Sequence, residues 1–206
     1  MFDIQLYDSG IKLVIAGVCS VVVATIFWGM SYSYTRKRAN KKYSYGRKKA
    51  PSISSFSHLS KALFITSMFV TLAGYWVSSP LFFQVNTHYL SQLLGVGIAL
   101  YGYIHLQRAF SNLDNNYSPL FEAYMPFKLI TNGAYHRIRH PIYLYNLFVS
   151  FGLAISSGSG LVLMNAMIGL VFVLKAVNIE EVYLAKEFPE YQKYQKRSWR
   201  LIPYLY

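Results

Sequence analysis

Five apolar stretches, at residues 11–34, 62–83, 89–110, 141–156 and 160–178, divide the chain. The first three are long enough to cross ~30 Å of hydrocarbon as helices, at about 1.5 Å of rise per residue. The last two are shorter and are separated by Ser156-Ser157-Gly158-Ser159-Gly160, a run of turn-forming residues that joins them as a helical hairpin. A water-facing globule is not an alternative use for this sequence. Hydrophobic residues make up 54% of the 206 and charged residues only 14%, too few to cover such a surface. Aromatic residues at 17% exclude a disordered chain, and the single Cys19 excludes a disulfide scaffold. The expectation is an all-α fold, a polytopic bundle of five transmembrane helices.

If all five segments span, alternate connections share a side, and the cationic residues test the count. Nineteen of the 20 Lys and Arg then fall on one side; only Lys12 falls opposite, in a short tail with Asp3 and Asp8. The connections at 84–88 and 156–160 carry no Lys, Arg, Asp or Glu. The positive-inside rule makes the basic side cytoplasmic, with the N-terminus outside and the C-terminus inside. A net charge of +12 is therefore read against a membrane rather than nucleic acid. The basic cluster from Arg36 to Lys49 reads first as an orientation signal and second as a surface for anionic headgroups. The N-terminal run has no basic leader and no small-residue cleavage pattern, so it reads as a retained helix that buries Cys19. Tyr32, Tyr34, Tyr43, Tyr45, Tyr143, Tyr145, Tyr204 and Tyr206 lie toward segment ends, which suits an interfacial belt.

Few residues are left for chemistry. There is no phosphate-binding glycine loop, no zinc-type Cys/His spacing and no Ser/His/Asp arrangement. His58, His88 and His105 stand alone and read as loop or packing residues. Gly95-x-Gly97 lies within an apolar segment and reads as a site of close helix packing. The informative part runs from Lys128 to Tyr143 and resumes at Glu180-Glu181. An antiparallel hairpin returns its two ends to one face, so Arg139-His140-Pro141 and Glu180-Glu181 are expected to meet there, making a polar pocket at the bundle mouth. Pro141 suits the first turn of a helix, and it pushes His140 out of helical geometry. Such a pocket suits a zwitterionic ligand: carboxylates hold an ammonium or ribose hydroxyls, while His and backbone N–H groups hold a carboxylate. The plain alternative is that Arg137, Arg139 and Lys175 snorkel and that Glu180 and Glu181 sit solvated on an amphipathic helix.

The combined pattern Gly133-x-Tyr135-x-x-x-Arg139-His140-Pro141-x-Tyr143, a short hairpin, Glu180-Glu181, Phe188-x-x-Tyr191-x-x-Tyr194 and Arg200-x-Ile202-Pro203 resembles the isoprenylcysteine carboxyl methyltransferase family and the related phospholipid N-methyltransferases. The resemblance covers roughly residues 95–203 and implies a methyltransferase-like core at 89–206, closed by a cytoplasmic amphipathic helix; residues 1–88, which carry none of the pattern, read as a two-helix membrane scaffold with a basic loop. It implies a membrane enzyme that uses S-adenosylmethionine on a lipophilic acceptor entering from the bilayer, in contact with membrane lipids and without nucleic acid or metal. Carried over by position, Leu129, Ile130, Tyr135, His140, Pro141, Ile142, Tyr143 and Glu180 contact the cofactor, with Glu181 in support. Arg139, His140 and Glu180 are the implied catalytic set. Two departures bear on the acceptor. Tyr145 stands where the family often has Gly, and Ala176 stands where many members have Arg, with Lys175 beside it; Tyr145 and Lys175 are thus the acceptor-side candidates. Pro189, in place of Gly, reads as a local helix start. A carboxylate acceptor needs no general base, whereas an amine or thiol needs deprotonation by His140 or Glu180. The readings kept beside this one are an amine N-methyltransferase, a more distant NADPH-using sterol-reductase type, and a membrane scaffold that has lost activity.

Overall fold

The computed structural model describes residues 2–39, 54–77, 88–117 and 126–204, and among them every regular element is helical. In order these are α1 (Phe2–Ala39), α2 (Ser54–Gly74), α3 (Tyr89–Leu113), α4 (Pro141–Ser157), α5 (Gly160–Glu187) and α6 (Tyr191–Lys196). Single 3-10 turns at Asp114–Asn116 and Gly133–Tyr135 lie between α3 and α4. Two helical stretches, Gly10–Thr35 and Gly160–Glu187, are long and apolar enough to cross a membrane. Ala62–Gly74 and Pro141–Ser157 are apolar but shorter. The side chains of the basic run from Arg36 to Lys49 and of His58, and the connection at 78–87, lie outside the described residues.

The hairpin joins α4 to α5 with a shorter turn than the run of small residues suggests. Ser156 and Ser157 complete α4, and Gly158 caps it in the left-handed conformation at φ 60, a conformation open to glycine at no steric cost. Ser159 then caps α5, its Oγ accepting from the Val162 N–H at 3.4 Å. At the far end, Pro141 occupies the first turn of α4 as expected, and His140 before it sits at φ −123, ψ 57. Helix α5 continues nine residues beyond the apolar stretch, because Glu180, Glu181, Lys186 and Glu187 break the hydrophobicity but not the helix. Pro189 does not begin a helix; it lies in the turn between the Phe188 cap of α5 and α6, whose first residue is Tyr191. Short as it is, α6 is amphipathic: Tyr191 and Tyr194 are buried, while Gln192, Lys193 and Lys196 are exposed.

Helices α3 and α4 form the tightest pair in the bundle. A Cβ on Gly95 would lie 2.3 Å from the Ser156 backbone nitrogen, and one on Gly152 would lie 2.5 Å from the Ala99 nitrogen. Gly102 faces the Tyr145 carbonyl in the same way, at 2.9 Å. Small residues let these backbones touch, the common route to helix association where burial from water gives little drive. Gly97 has open space around it, so of the Gly95-x-Gly97 pair only Gly95 serves the interface. Helix α1 packs on α3, where Gly29 accommodates Tyr103, and buries Cys19 as expected. Helix α2 packs on α4 and α5, with Asn165 of α5 donating to Ser67 Oγ at 3.1 Å. The tyrosines divide by position: Tyr32 and Tyr204 are exposed, whereas Tyr34, Tyr143 and Tyr145 turn into the protein, so an interfacial belt describes only part of the set. Tyr43, Tyr45 and Tyr206 lie outside the described residues.

Replacing Gly152 by Leu forces α3 and α4 apart. The expected result is a loss of at least about 1–3 kcal/mol, read as a lower thermal midpoint in detergent. Gly97→Leu, placed in open space on the same helix pair, is expected to leave that midpoint unchanged.

Candidate functional site

The two ends of the hairpin meet. Counting from the turn, His140 and Glu180 lie about 27 Å and about 30 Å along their helices, so they stand nearly level. His140 Nδ1 is 3.4 Å from Glu180 Oε2, and its Nε2 is 3.4 Å from Glu181 Oε1. The imidazole thus lies between the two carboxylates, with its ring stacked on Tyr143 at 5.8 Å between centroids. Tyr143 donates its phenol proton to Glu180 Oε1.

The two glutamates play different parts. Glu181 is 4% exposed and fully engaged: Oε1 receives Arg139 Nε at 2.6 Å and the Tyr191 hydroxyl at 3.4 Å. Its other oxygen receives Arg200 Nε at 2.9 Å and Gln195 Nε2 at 3.3 Å. Arg139, itself 7% exposed, spends its remaining contacts on the Gln195 and Ser198 carbonyls. Glu180 is 45% exposed and held on one edge only, by Tyr143 and His140. Glu181 is therefore the buried strut, and Glu180 is the carboxylate left open at the hairpin mouth.

Backbone pairing explains why Arg139 and His140 face this way. The Arg139 N–H donates to the Trp199 carbonyl at 2.8 Å, the Trp199 N–H to the Arg137 carbonyl at 2.9 Å, and the His140 N–H to the Arg200 carbonyl at 3.1 Å. The segment after α6 is thereby strapped along the entry to α4, forming a single parallel bridge between Ile138 and Trp199. Upstream, Gly133 sits at φ 59 with its α-carbon so close to Asn112 that a Cβ would lie 2.5 Å from the amide. Asn112 Oδ1 accepts from the Ala134 N–H at 2.8 Å, and this contact anchors the loop to the end of α3. Tyr135 is buried, and its carbonyl accepts from the Tyr194 hydroxyl of α6.

Burial works against charge on His140, but hydrogen bonds and the fields of Glu180 and Glu181 outweigh it, so its pKa lies above the ordinary imidazole value of 6.5. The shift favours the protonated, donating form, which suits positioning better than proton abstraction.

The other assigned positions fall into two groups. Pro141, Ile142 and Tyr143 form the buried first turn of α4, while Leu129 and Ile130 are half-buried in the preceding loop, Ile130 against the main core. The acceptor-side pair is not brought to the cluster. The Tyr145 ring packs toward α3, stacked on His105 at 5.1 Å and tilted against Phe148. Lys175 is exposed and lies about 140° around α5 from Glu180, since the two are five residues apart on a helix. Ala176, on the Glu180 side, is buried. A cation from outside α5 does reach the carboxylate pair: Arg200 meets Glu181, and its Nη1 also donates to Asn178 Oδ1 at 3.3 Å. Its motif was visible in the sequence, but nothing local connects it to a residue 19 positions earlier.

These features define a helical membrane protein with a buried ionic cluster at the mouth of a helical hairpin. The chain matches the phospholipid methyltransferase family over residues 87–191, which take in α3, α4, α5 and both halves of the cluster except the Arg200 strap. It belongs to that family of membrane methyltransferases, within the isoprenylcysteine carboxyl methyltransferase-like group. It is also similar to the cobalt-zinc-cadmium resistance protein CzcN of Cupriavidus metallidurans, with 30% identity over 135 residues. That match takes in 64% of this chain and 53% of the relative, so the chain spans about half the relative's length.

Glu181→Gln should strand two guanidinium groups, one of them buried, and cost about 3–5 kcal/mol, seen as a lower unfolding midpoint in detergent. Glu180→Gln, at a half-exposed carboxylate, should move that midpoint little; equal losses in the two variants would contradict the division of roles.

Because the folded-state pKa of His140 is raised, its contribution to stability is fully present below 6.5 and is lost as pH climbs through the higher folded value. The stability difference between wild type and His140→Asn is accordingly expected to shrink as pH rises from mildly acidic to alkaline. A difference that grows over that range would reverse the assignment.

Proposed function

We propose that this protein is a membrane methyltransferase that takes its methyl group from S-adenosylmethionine and delivers it to a lipophilic acceptor reaching the site from the bilayer. The observation that carries this reading is the half-exposed Glu180 carboxylate beside a buried His140, supported from behind by Glu181, Arg139 and Arg200. Family membership supports methyl transfer. The side chains also fit the donor chemically. His140 lies buried between Glu180 and Glu181, and Glu180, 45% exposed, can meet an ammonium or a ribose hydroxyl beside the Tyr143 ring.

A bound sulfonium donor supplies a methyl group already activated for displacement. The protein's task is then to align the reactants and exclude water. In this reading Glu180 and Tyr143 orient the ligand, His140 holds Glu180 from the protein side, and Arg139 acts from behind, since its contacts go to Glu181 and to backbone carbonyls. Pro141 and Ile142 fix the direction of the first turn of α4. Helices α1 and α2, within residues 1–88, serve as scaffold for the core at 89–206. The cationic excess orients the chain with its C-terminus, and so the site, at the cytoplasmic face.

Two acceptor classes fit. A carboxylate is already a nucleophile and needs no general base. An amine on a phospholipid is the second reading, favoured by the family match; there Glu180 takes the proton.

Purified protein in lipid nanodiscs with methyl-tritiated S-adenosylmethionine is expected to label the organic-soluble fraction of a lipid panel. Label that base hydrolysis releases as methanol identifies an ester and hence a carboxylate acceptor; base-stable label excludes the ester and identifies an amine or thiol acceptor. Incorporation is expected to fall by at least about tenfold in Glu180→Ala, the loss of one charge-assisted contact. Unlabelled lipid with folded wild-type protein would refute the reading.

A further inference from the structure

Arg200 lies beyond the residues matched by the family and outside the set assigned to the ligand. It nevertheless closes a chain of contacts that ends at the exposed carboxylate. Its Nε meets Glu181 Oε2 at 2.9 Å, and its Nη1 meets Asn178 one turn earlier on α5. The other Glu181 oxygen faces Arg139 at 2.6 Å and His140 Nε2 at 3.4 Å. The second nitrogen of His140 faces Glu180. The same residue's backbone carbonyl accepts from the His140 N–H at 3.1 Å, so Arg200 holds His140 from two directions.

We propose that Arg200 is a positioning residue: by holding Glu181 on the side away from His140 and pinning the His140 backbone, it sets the place of the imidazole and hence of Glu180. The physical case rests on competition for one carboxylate. Arg139, 7% exposed, is locked by Gln195 and Ser198, whereas Arg200 is 36% exposed and comes from a strap that backbone pairs tie to the loop. With the Arg200 charge removed, Glu181 has fewer cations to share between, and it draws His140 toward itself. His140 then faces Glu180 less well, and the ligand-facing carboxylate loses its partner. The strap after α6 is in this sense part of the site, although it touches no ligand. The consequence for cofactor affinity rests on the methyl-donor reading above; the consequence for His140 does not.

The test uses full-length protein in detergent with two readouts. The first is the affinity for S-adenosylmethionine by calorimetry in wild type, Arg200→Gln, Arg200→Lys, Glu181→Gln and the Arg200→Gln/Glu181→Gln double variant. Arg200→Gln is expected to weaken binding by about tenfold, the order of one charged hydrogen bond, with an unfolding midpoint close to wild type. Arg200→Lys should recover part of the loss by restoring the charge. In the Glu181→Gln background the Arg200 change should cost almost nothing, because the residue acts through Glu181.

The second readout needs no ligand: the proton NMR titration of His140 in histidine-labelled protein. The charged and titratable groups around that ring are Glu180 and Glu181 of α5, Arg139 beside it, Tyr143 of α4 and Arg200 of the strap. Removing the Arg200 cation is expected to move the His140 titration upward. An unchanged titration, or an equal loss of affinity in both Glu181 backgrounds, overturns the positioning role. A shifted titration in a wild-type protein that does not bind S-adenosylmethionine supports the positioning role and refutes the methyl-donor reading instead.

Discussion

Glu181 is an ionised group excluded from water near the end of a long helix, and such a group persists only if it is neutralised and hydrogen-bonded on every side. Arg139 supplies the first neutralising contact at 2.6 Å, and the rest of the hairpin mouth is arranged around that pair. Arg139 reaches Glu181 because His140 breaks helical geometry before Pro141. His140 is held there by the strand-like pairing with Trp199 and Arg200. Gln195 and Tyr191 come from α6, which exists to carry them and two lysines on opposite faces. Removing the carboxylate leaves these elements without a common partner.

A second constraint is the contact between α3 and α4. Gly95, Ala99, Gly102, Gly152 and Ser156 bring the two backbones together, and this fixes α4 in register against a long helix. The register matters at the other end of α4, where one turn separates Pro141 from Tyr145. Tyr145 is spent on the α3 contact, stacked on His105, which leaves Tyr143 to face Glu180. Two residues apart on a helix point about 200° apart. A motif tyrosine at the cluster therefore implies that its second neighbour lies elsewhere.

Much of this was legible in the sequence. The turn at Gly158, the start of α4 at Pro141 and the meeting of Arg139-His140 with Glu180-Glu181 follow from hairpin geometry and from what proline permits. The length of α5 was not legible, because hydropathy reports where the apolar layer ends and not where hydrogen bonding does. Lys175 looked useful because it is adjacent in sequence to position 176, but adjacency on a helix means a different face, and Ala176 is the residue turned inward. The motif shows Arg200 but not its contact with Glu181, which lies 19 positions away across a turn and a short helix and which no periodicity encodes. An interfacial belt accounts for only some of the tyrosines, because a phenol near a segment end serves equally as a partner to a carboxylate, as Tyr143 does for Glu180.

The central claim is that the half-exposed carboxylate at the hairpin mouth holds a sulfonium methyl donor. The most direct measurement is a calorimetric titration of S-adenosylmethionine into purified protein, with NADPH as the control ligand and His140→Ala as the control variant. Micromolar binding of S-adenosylmethionine that is lost in the variant, with no heat from NADPH, is the expected result. Folded protein that ignores S-adenosylmethionine would contradict the account, and binding of NADPH in its place would mark the cluster as a reductase site.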